Sequence, residues 1–202
     1  MTDLSLPPGI TLGERAGEGR RSVVYRGQFQ DKTVAVKVYR PEFVKKYLSR
    51  YGVNIAAFEM ERNRAVFETS GLRPYAAAPV TVVGGGQHAL AFVQEFIEGL
   101  SLVELGRRDG GLPDSVLMAG ADILRQAERA GLYDLDLYYR NILVRERDGQ
   151  WLPVLHDFNL MPQYRFPPNP FLWFAYRTGL RHKSHRDRRC IAQWHAFSRE
   201  CR

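Results

Sequence analysis

The sequence predicts an α+β fold, with strands and one helix over residues 1–98 and a more helical part over 99–202. Three observations carry this. Residues 9–39 alternate apolar and polar side chains and end in Val34-Ala35-Val36-Lys37-Val38-Tyr39, a run rich in β-branched residues. Residues 54–69 contain neither glycine nor proline and suit a helix. Asp148-Gly149, set between two apolar stretches, is a strong hairpin signal.

Each element follows in order. Gly17-Glu18-Gly19 and Gln30-Asp31-Lys32 break the first region into three strands, and Pro41 ends the third. The helix over 54–69 takes Asn54 as N-cap and has Gly71 near its end. Residues 79–97 read as two strands, Pro79–Val83 and Ala89–Ile97, joined by Gly84-Gly85-Gly86, giving β-β-β-α-β-β with a boundary at Glu98-Gly99. Residues 114–131 form a second helix with Asp114 as N-cap and Gly131 as stop. Asn141–Arg145 and Trp151–His156 are the strands of the hairpin. From about residue 162 the chain is proline-rich, then basic and aromatic.

Composition bounds the function. The 202 residues are 45% hydrophobic and 25% charged, as in globular proteins that bury a core. The net charge is +7. Residues 165–202 hold nine basic residues and two acids, so this segment carries the whole excess and residues 1–164 are neutral. A neutral body with a basic tail, and no RNA-binding motif, argues against a nucleic-acid coat. The start, MTDLSLPPG, has no apolar stretch of the kind a secretory signal needs. No apolar run approaches the roughly 20 residues of a membrane span. Two cysteines, Cys190 and Cys201, make a disulfide scaffold an unfavoured expectation and fit a reducing, cytoplasmic setting.

Several residues carry chemistry in an ordered set. Gly17-Glu18-Gly19-Arg20-Arg21-Ser22-Val23-Val24 joins two strands, and small residues there let backbone N–H groups approach phosphate oxygens. Lys37 ends an apolar strand, where it can snorkel to solvent or reach phosphates as a compact cation. Glu61 on the next helix is the favoured partner for Lys37, with Glu59 and Glu68 as competitors, because Phe58 and Ala65 flank Glu61 on one face. Asp136 and Asn141 stand five residues apart before an apolar strand, and Asp157 ends the next one. The hairpin brings Asn141 and Asp157 together as two oxygen donors for a hard cation such as Mg²⁺. Turn-capping accounts for any one of these residues alone, though less readily for the ordered set.

Taken together, these segments resemble the protein-kinase-like superfamily over about residues 10–160. Gly17–Val24 is similar to its Gly-rich loop, with Ser22 in the third glycine's place, and Val34–Lys37 to its V-A-[IV]-K strand. Phe92–Gly99 resembles the hinge, Asp136…Asn141 the D-x-x-x-x-N catalytic loop, and Asp157-Phe158-Asn159 the D-F-G motif. The resemblance implies a two-lobed fold with a β-rich N-lobe and a reduced helical C-lobe. It implies ATP and Mg²⁺ as cofactors. Lys37, held by Glu61, contacts the α- and β-phosphates. Gly17, Gly19 and Ser22 line the phosphates, and Val24, Ala35 and Leu143 sandwich the adenine against backbone groups of Glu95 and Ile97. Asp136 is the catalytic base, and Asn141 and Asp157 hold the metal.

The departures are also informative. Asp134 replaces a histidine two positions before Asp136, a second carboxylate whose repulsion needs Mg²⁺ or Arg140 to offset it. Asn159 replaces glycine, a mild change if the site is left-handed. No A-P-E motif follows, and the segment after Asp157 is short. These features resemble the small bacterial lipopolysaccharide core kinases and the YrbL family of the PhoP regulatory network. The resemblance therefore implies phosphotransfer to a hydroxyl, with a sugar or glycolipid favoured. The alternatives are a minimal protein Ser/Thr kinase of the effector type, or an inactive nucleotide-binding pseudokinase. Residues 171–189 place aromatics directly before basic residues, as a peripheral contact with an anionic inner-membrane surface requires. The competing reading makes Trp173, Phe174 and Trp194 core. Asp187, set among arginines, is expected to tie their side chains to the catalytic loop.

Overall fold

The computed structural model describes residues 9–84 and 89–202. The chain divides into two compact units: one runs to Ala65 and takes in Ala77–Ile97, and the other holds Val66–Ala76 and Glu98–Arg202. The architecture is α+β, with a β-sheet region first and most of the helices after it.

The first unit is built on an antiparallel sheet of β1 (Ile10–Glu18), β2 (Ser22–Phe29), β3 (Lys32–Tyr39), β4 (Pro79–Val83) and β5 (Ala91–Glu95), in the order β1-β2-β3-β5-β4. Gln30 and Asp31 sit at φ 48° and 62° between Phe29 and Lys32. This is the primed two-residue turn whose twist matches its strands. The two sheet faces differ. Val34, Val36 and Val93, with Ile10, Val83 and Ala91, form an apolar cluster on one face. Alternation turns Ala35 and Lys37 to the other.

Two helices follow β3, α1 (Pro41–Tyr51) and α2 (Ile55–Glu68), where one was expected. Pro41 ends the strand but also opens α1, because the first helical turn leaves its N–H groups unpaired and proline has none to lose. Gly52, at φ 67°, closes α1 by donating to the Leu48 carbonyl. Asn54 caps α2 as expected, its Oδ1 accepting from the N–H groups of Ala56 and Ala57. The strand expected over Ala89–Ile97 is confined to Ala91–Glu95, since its partner β4 begins at Pro79 opposite Gln94. Of the expected glycine connection, Gly85 and Gly86 lie outside the described residues.

The second unit has a small antiparallel sheet of β6 (Leu100–Ser101), β7 (Ile142–Arg147) and β8 (Gln150–Leu155). The two-residue turn at Asp148 and Gly149, at φ 53° and 75°, extends both hairpin strands further toward the turn than expected. Its helices are α3 (Leu102–Asp109), α4 (Asp114–Arg129), α5 (Pro170–Arg177) and α6 (His185–Glu200). Helix α3 opens with a capping box between Ser101 and Glu104. At the start of α4 the N-cap is Pro113, not Asp114, which is the first helical residue and makes no side-chain cap. Its charge still complements the helix dipole there. Gly131 stops α4 at φ 69°, and Leu132 N–H returns to the Ala127 carbonyl.

The core of this unit gathers around Trp194, which is fully buried. Two helical glycines make room for α6. A Cβ on Gly120 lies 2.8 Å from the Trp194 ring, and one on Gly106 lies 2.6 Å from the Phe197 ring. Ser198 Oγ accepts from Leu112 N–H at 2.8 Å, tying α6 to the loop between α3 and α4. Among the described residues no helix is long and apolar enough to cross a membrane. Gly120→Ala gains up to about 1 kcal/mol of helix propensity, but overpacking against a rigid buried indole costs about 1–3 kcal/mol. The variant is expected to unfold at a temperature lower by about 2–6 °C, read by calorimetry.

Candidate active site

In the first unit the site residues lie on one sheet face. Val24, Lys37 and Phe92 are opposite one another across three strands, as are Arg26, Ala35 and Gln94, and opposite residues share a face. Val24, Ala35 and Lys37 are therefore aligned on the face away from the apolar cluster. Lys37 Nζ donates to Glu59 Oε1 at 2.8 Å, with the two side chains 12% and 0% exposed. This corrects the expected pairing: Glu61 is exposed, and Glu59 is the residue α2 turns inward. The flanking-residue argument failed because the apolar face of α2 is centred on Ile55, Ala56, Phe58 and Val66, which puts Glu59 within it. One turn on, Asn63 is also fully buried and its Nδ2 donates to Gln94 Oε1 at 3.0 Å. Four polar side chains thus occupy this face in pairs, as buried polar groups must.

Gly17 stands one residue before the end of β1, opposite Val24, and a Cβ there meets nothing within 4 Å. Gly19 N–H donates to the Ser22 carbonyl at 2.9 Å, and a Cβ on Gly19 also stands nearly clear. Packing within the unit demands neither glycine. What they spare is open space beside the turn, which suits close approach by a phosphate. Ser22 itself is buried at the start of β2. At the other end of the sheet Glu95 N–H donates to the Ala78 carbonyl and its Oε2 accepts from Ala78 N–H, so Glu95 is fixed in the ladder, and Ile97 is buried just beyond.

In the second unit the loop before β7 is held from several sides. Leu135 and Leu137 are buried, and Asp134 and Asp136, which alternate with them, adopt φ of 57° and 63°. Left-handed backbone costs an ordinary residue about 1–2 kcal/mol. Asp187 of α6, 1% exposed, accepts from Asp134 N–H at 2.6 Å and Leu135 N–H at 2.8 Å. It braces the loop through the backbone, where a link through arginine side chains was expected. Trp194 Nε1 donates to the Leu137 carbonyl at 2.8 Å. Asp134 Oδ1 pairs with Arg186 at 2.8 Å and its Oδ2 accepts from Gln163 N–H at 2.7 Å. The charge that offsets Asp134 is therefore Arg186, while Arg140 is exposed beside Tyr139. Asp136 accepts from Asn141 Nδ2 at 3.1 Å, so the two residues read as a pair do meet.

The hairpin register pairs Ile142 with Leu155, so Asn141 and Asp157 lie at the same end of it. Phe158 anchors the segment in the core at 1% exposure. Asn159 has no left-handed backbone: its Oδ1 instead accepts from Met161 N–H at 3.1 Å, which explains the residue by an Asx turn. Leu143 alternates with the core residues Ile142 and Val144 and faces away from that core. Among the described residues no three His, Cys, Asp or Glu side chains gather as a metal cluster. The aromatic tail divides: Trp194 is core, whereas Phe171, Trp173 and Phe174 on α5 are 73%, 51% and 51% exposed. Sequence reasoning missed Gln163, Arg186 and Trp194 as supports of the loop. The signal for α6 was present in one acid flanked by arginines at 185–189.

No family model matches the chain. It is 32% identical over 149 residues to the serine/threonine-protein kinases drp72 of Corynebacterium efficiens, covering 68% of this chain and 27% of that protein. It is 30% identical over 133 residues to the serine/threonine-protein kinases PknA of Corynebacterium glutamicum, covering 62% of this chain and 26% of that one. The chain thus spans about a quarter of the length of these curated relatives. This distant similarity supports a protein-kinase-like relationship.

Glu59→Gln removes the counter-charge of a nearly buried lysine and is expected to destabilise the protein by about 1.5–3 kcal/mol, whereas Glu61→Gln changes stability by less than about 0.5 kcal/mol. Urea midpoints of the two variants beside wild type check this.

Proposed function

We propose that the chain is an ATP- and Mg²⁺-dependent phosphotransferase acting on a hydroxyl. The observation that carries this is the pairing of Asp136 with Asn141 in a loop braced by Asp187. Kinase relatives support phosphotransfer in general. Lys37, positioned by Glu59, meets the α- and β-phosphates, and Gly17, Gly19 and Ser22 line them. Val24, Ala35 and Leu143 cover the adenine, with Glu95 and Ile97 along its edge. Asn141 Nδ2 is committed to Asp136, which directs its Oδ1 elsewhere, and Asp157 supplies a carboxylate. Two oxygen donors suit Mg²⁺, which takes one or two protein ligands and completes its shell with phosphates and water. The ion neutralises charge on the transferring phosphoryl group.

Asp136 accepts the proton of the acceptor hydroxyl as its oxygen bonds to the γ-phosphorus. The bond from that phosphorus to the bridging oxygen breaks, and ADP leaves with the electron pair. A sugar or glycolipid is the favoured acceptor. The exposed aromatics of α5, with Leu180 at 75% exposure and Arg177 and Lys183 beside them, suit docking on an anionic lipid surface. A protein hydroxyl is the second reading, favoured by the names of the relatives.

ATP is expected to raise the melting temperature only when Mg²⁺ is present, and no such dependence refutes the assignment. Asp136→Ala is expected to abolish transfer of labelled phosphate while ATP affinity stays within about three-fold. Asp187→Asn replaces one accepting oxygen by a donor that opposes a loop N–H. It is expected to lower kcat by about 100-fold, the scale of a 1 Å misplacement, with the KM for ATP nearly unchanged.

A further inference from the structure

A cavity of about 390 Å³ lies wholly within the second unit, beside the loop that carries Asp136. Its walls bring Arg181, Arg186, Arg189 and His185 around the one carboxylate of Asp136. The size falls in the range of small-molecule sites, near its lower end, where a single sugar ring with a substituent fits. The arginines are not equivalent. Arg186 is engaged by the buried Asp134. Among the described residues Arg181 and Arg189 form no ion pair, and Arg181 Nε is buried with no hydrogen-bond partner. The Arg181 backbone is fixed by its N–H donating to the Ala175 carbonyl, and its guanidinium lies 5.8 Å from the Tyr176 ring centroid. Arginine presents a planar fork matched to phosphate and carboxylate oxygens.

Two cations beside one general base form an arrangement for a ligand that brings its own negative charge. We propose that the acceptor is a sugar bearing a phosphate or carboxylate group, which Arg181 and Arg189 hold while a hydroxyl of the same molecule meets Asp136. This rests on the phosphotransferase reading and adds the acceptor's chemical class to it. Cys190, which also lines the cavity, is not a rival nucleophile, because burial and then the carboxylates of Asp187 and Asp136 push its thiol up to about 11.

The test separates the two claims. Glucose 6-phosphate, glucuronate and glucose are titrated into the full chain by calorimetry without ATP, so binding is read independently of turnover. The charged sugars are expected to bind at least ten-fold more tightly than glucose. Arg181→Gln and Arg189→Gln are each expected to lose at least ten-fold of glucose 6-phosphate affinity, with Arg189→Lys in between. Arg199→Gln, elsewhere on α6, retains wild-type affinity. Equal binding of glucose and its charged derivatives overturns the proposal, as does wild-type affinity in Arg189→Gln, an exposed position whose replacement does not threaten folding. If the charged sugars bind and the arginine variants lose them, but Mg²⁺-dependent loss of ATP occurs with none of the three sugars, the anion site stands and the phosphotransferase reading falls.

Discussion

The geometry of the second unit depends on a single buried carboxylate. Asp187 accepts from two successive backbone N–H groups of the loop that carries Asp136. Charge-assisted hydrogen bonds of this kind contribute about 1.5–3 kcal/mol each, enough to offset two left-handed aspartates at about 1–2 kcal/mol apiece. Without that brace the loop has every reason to relax toward ordinary backbone, and Asp136 would lose its pairing with Asn141. Trp194, one helical face further along α6, fixes the loop at Leu137 from the same side. A helix that looks from its composition like a solvated basic surface is therefore the template on which the loop carrying Asp136 is laid.

The two units solve the same problem differently. In the first, polar side chains stand on a sheet face, and side chains from α2 satisfy them: Glu59 for Lys37 and Asn63 for Gln94. In the second, the strained backbone of a loop is satisfied by side chains from α6. The basic tail combines two roles. Its single acid inside 185–189 and its indole at 194 point inward, and of the arginines around them Arg186 pairs with Asp134, Arg188 pairs with Glu128 and Arg189 is exposed. Helix α6 holds four of the nine basic residues of 165–202 and both its acids, so most of the +7 lies in the segments that flank it, while its own inward face is structural.

Much of this was legible in the sequence, because local chemistry and tertiary structure agreed. The sheet strands, the Asn54 cap, the Gly131 stop and the Asp148-Gly149 hairpin each rest on a short-range signal that nothing overrode. The five-residue spacing of Asp136 and Asn141 before an apolar strand was visible, but the hydrogen bond between them was not foreseen. The Lys37 partner was not: Glu59 and Glu61 differ only in which side of α2 the first unit buries, and burial of a glutamate reverses the usual preference for exposure. Helix α1 was hidden because proline reads as a terminator as well as an N1 residue. Helices α5 and α6 were hidden because their inward faces are short and their charge is conspicuous. The role of Asn159 was misread because an Asx turn and a left-handed site favour the same residue type.

The brace from α6 also governs the order in which the protein can mature. Its hydrogen bonds to the loop join residues 52, 53 and 57 positions apart, and the Ser198 contact spans 86. Closing such distant contacts is slow compared with forming a hairpin or a helix turn. The β7–β8 hairpin and helix α4 have local partners and can assemble as soon as they are synthesised. The loop over residues 134–137 has a short-range contact between Asp136 and Asn141 but lacks its backbone brace until α6 is in place. A nascent chain therefore passes through a stage in which its core is partly collapsed and its two left-handed aspartates are still unset.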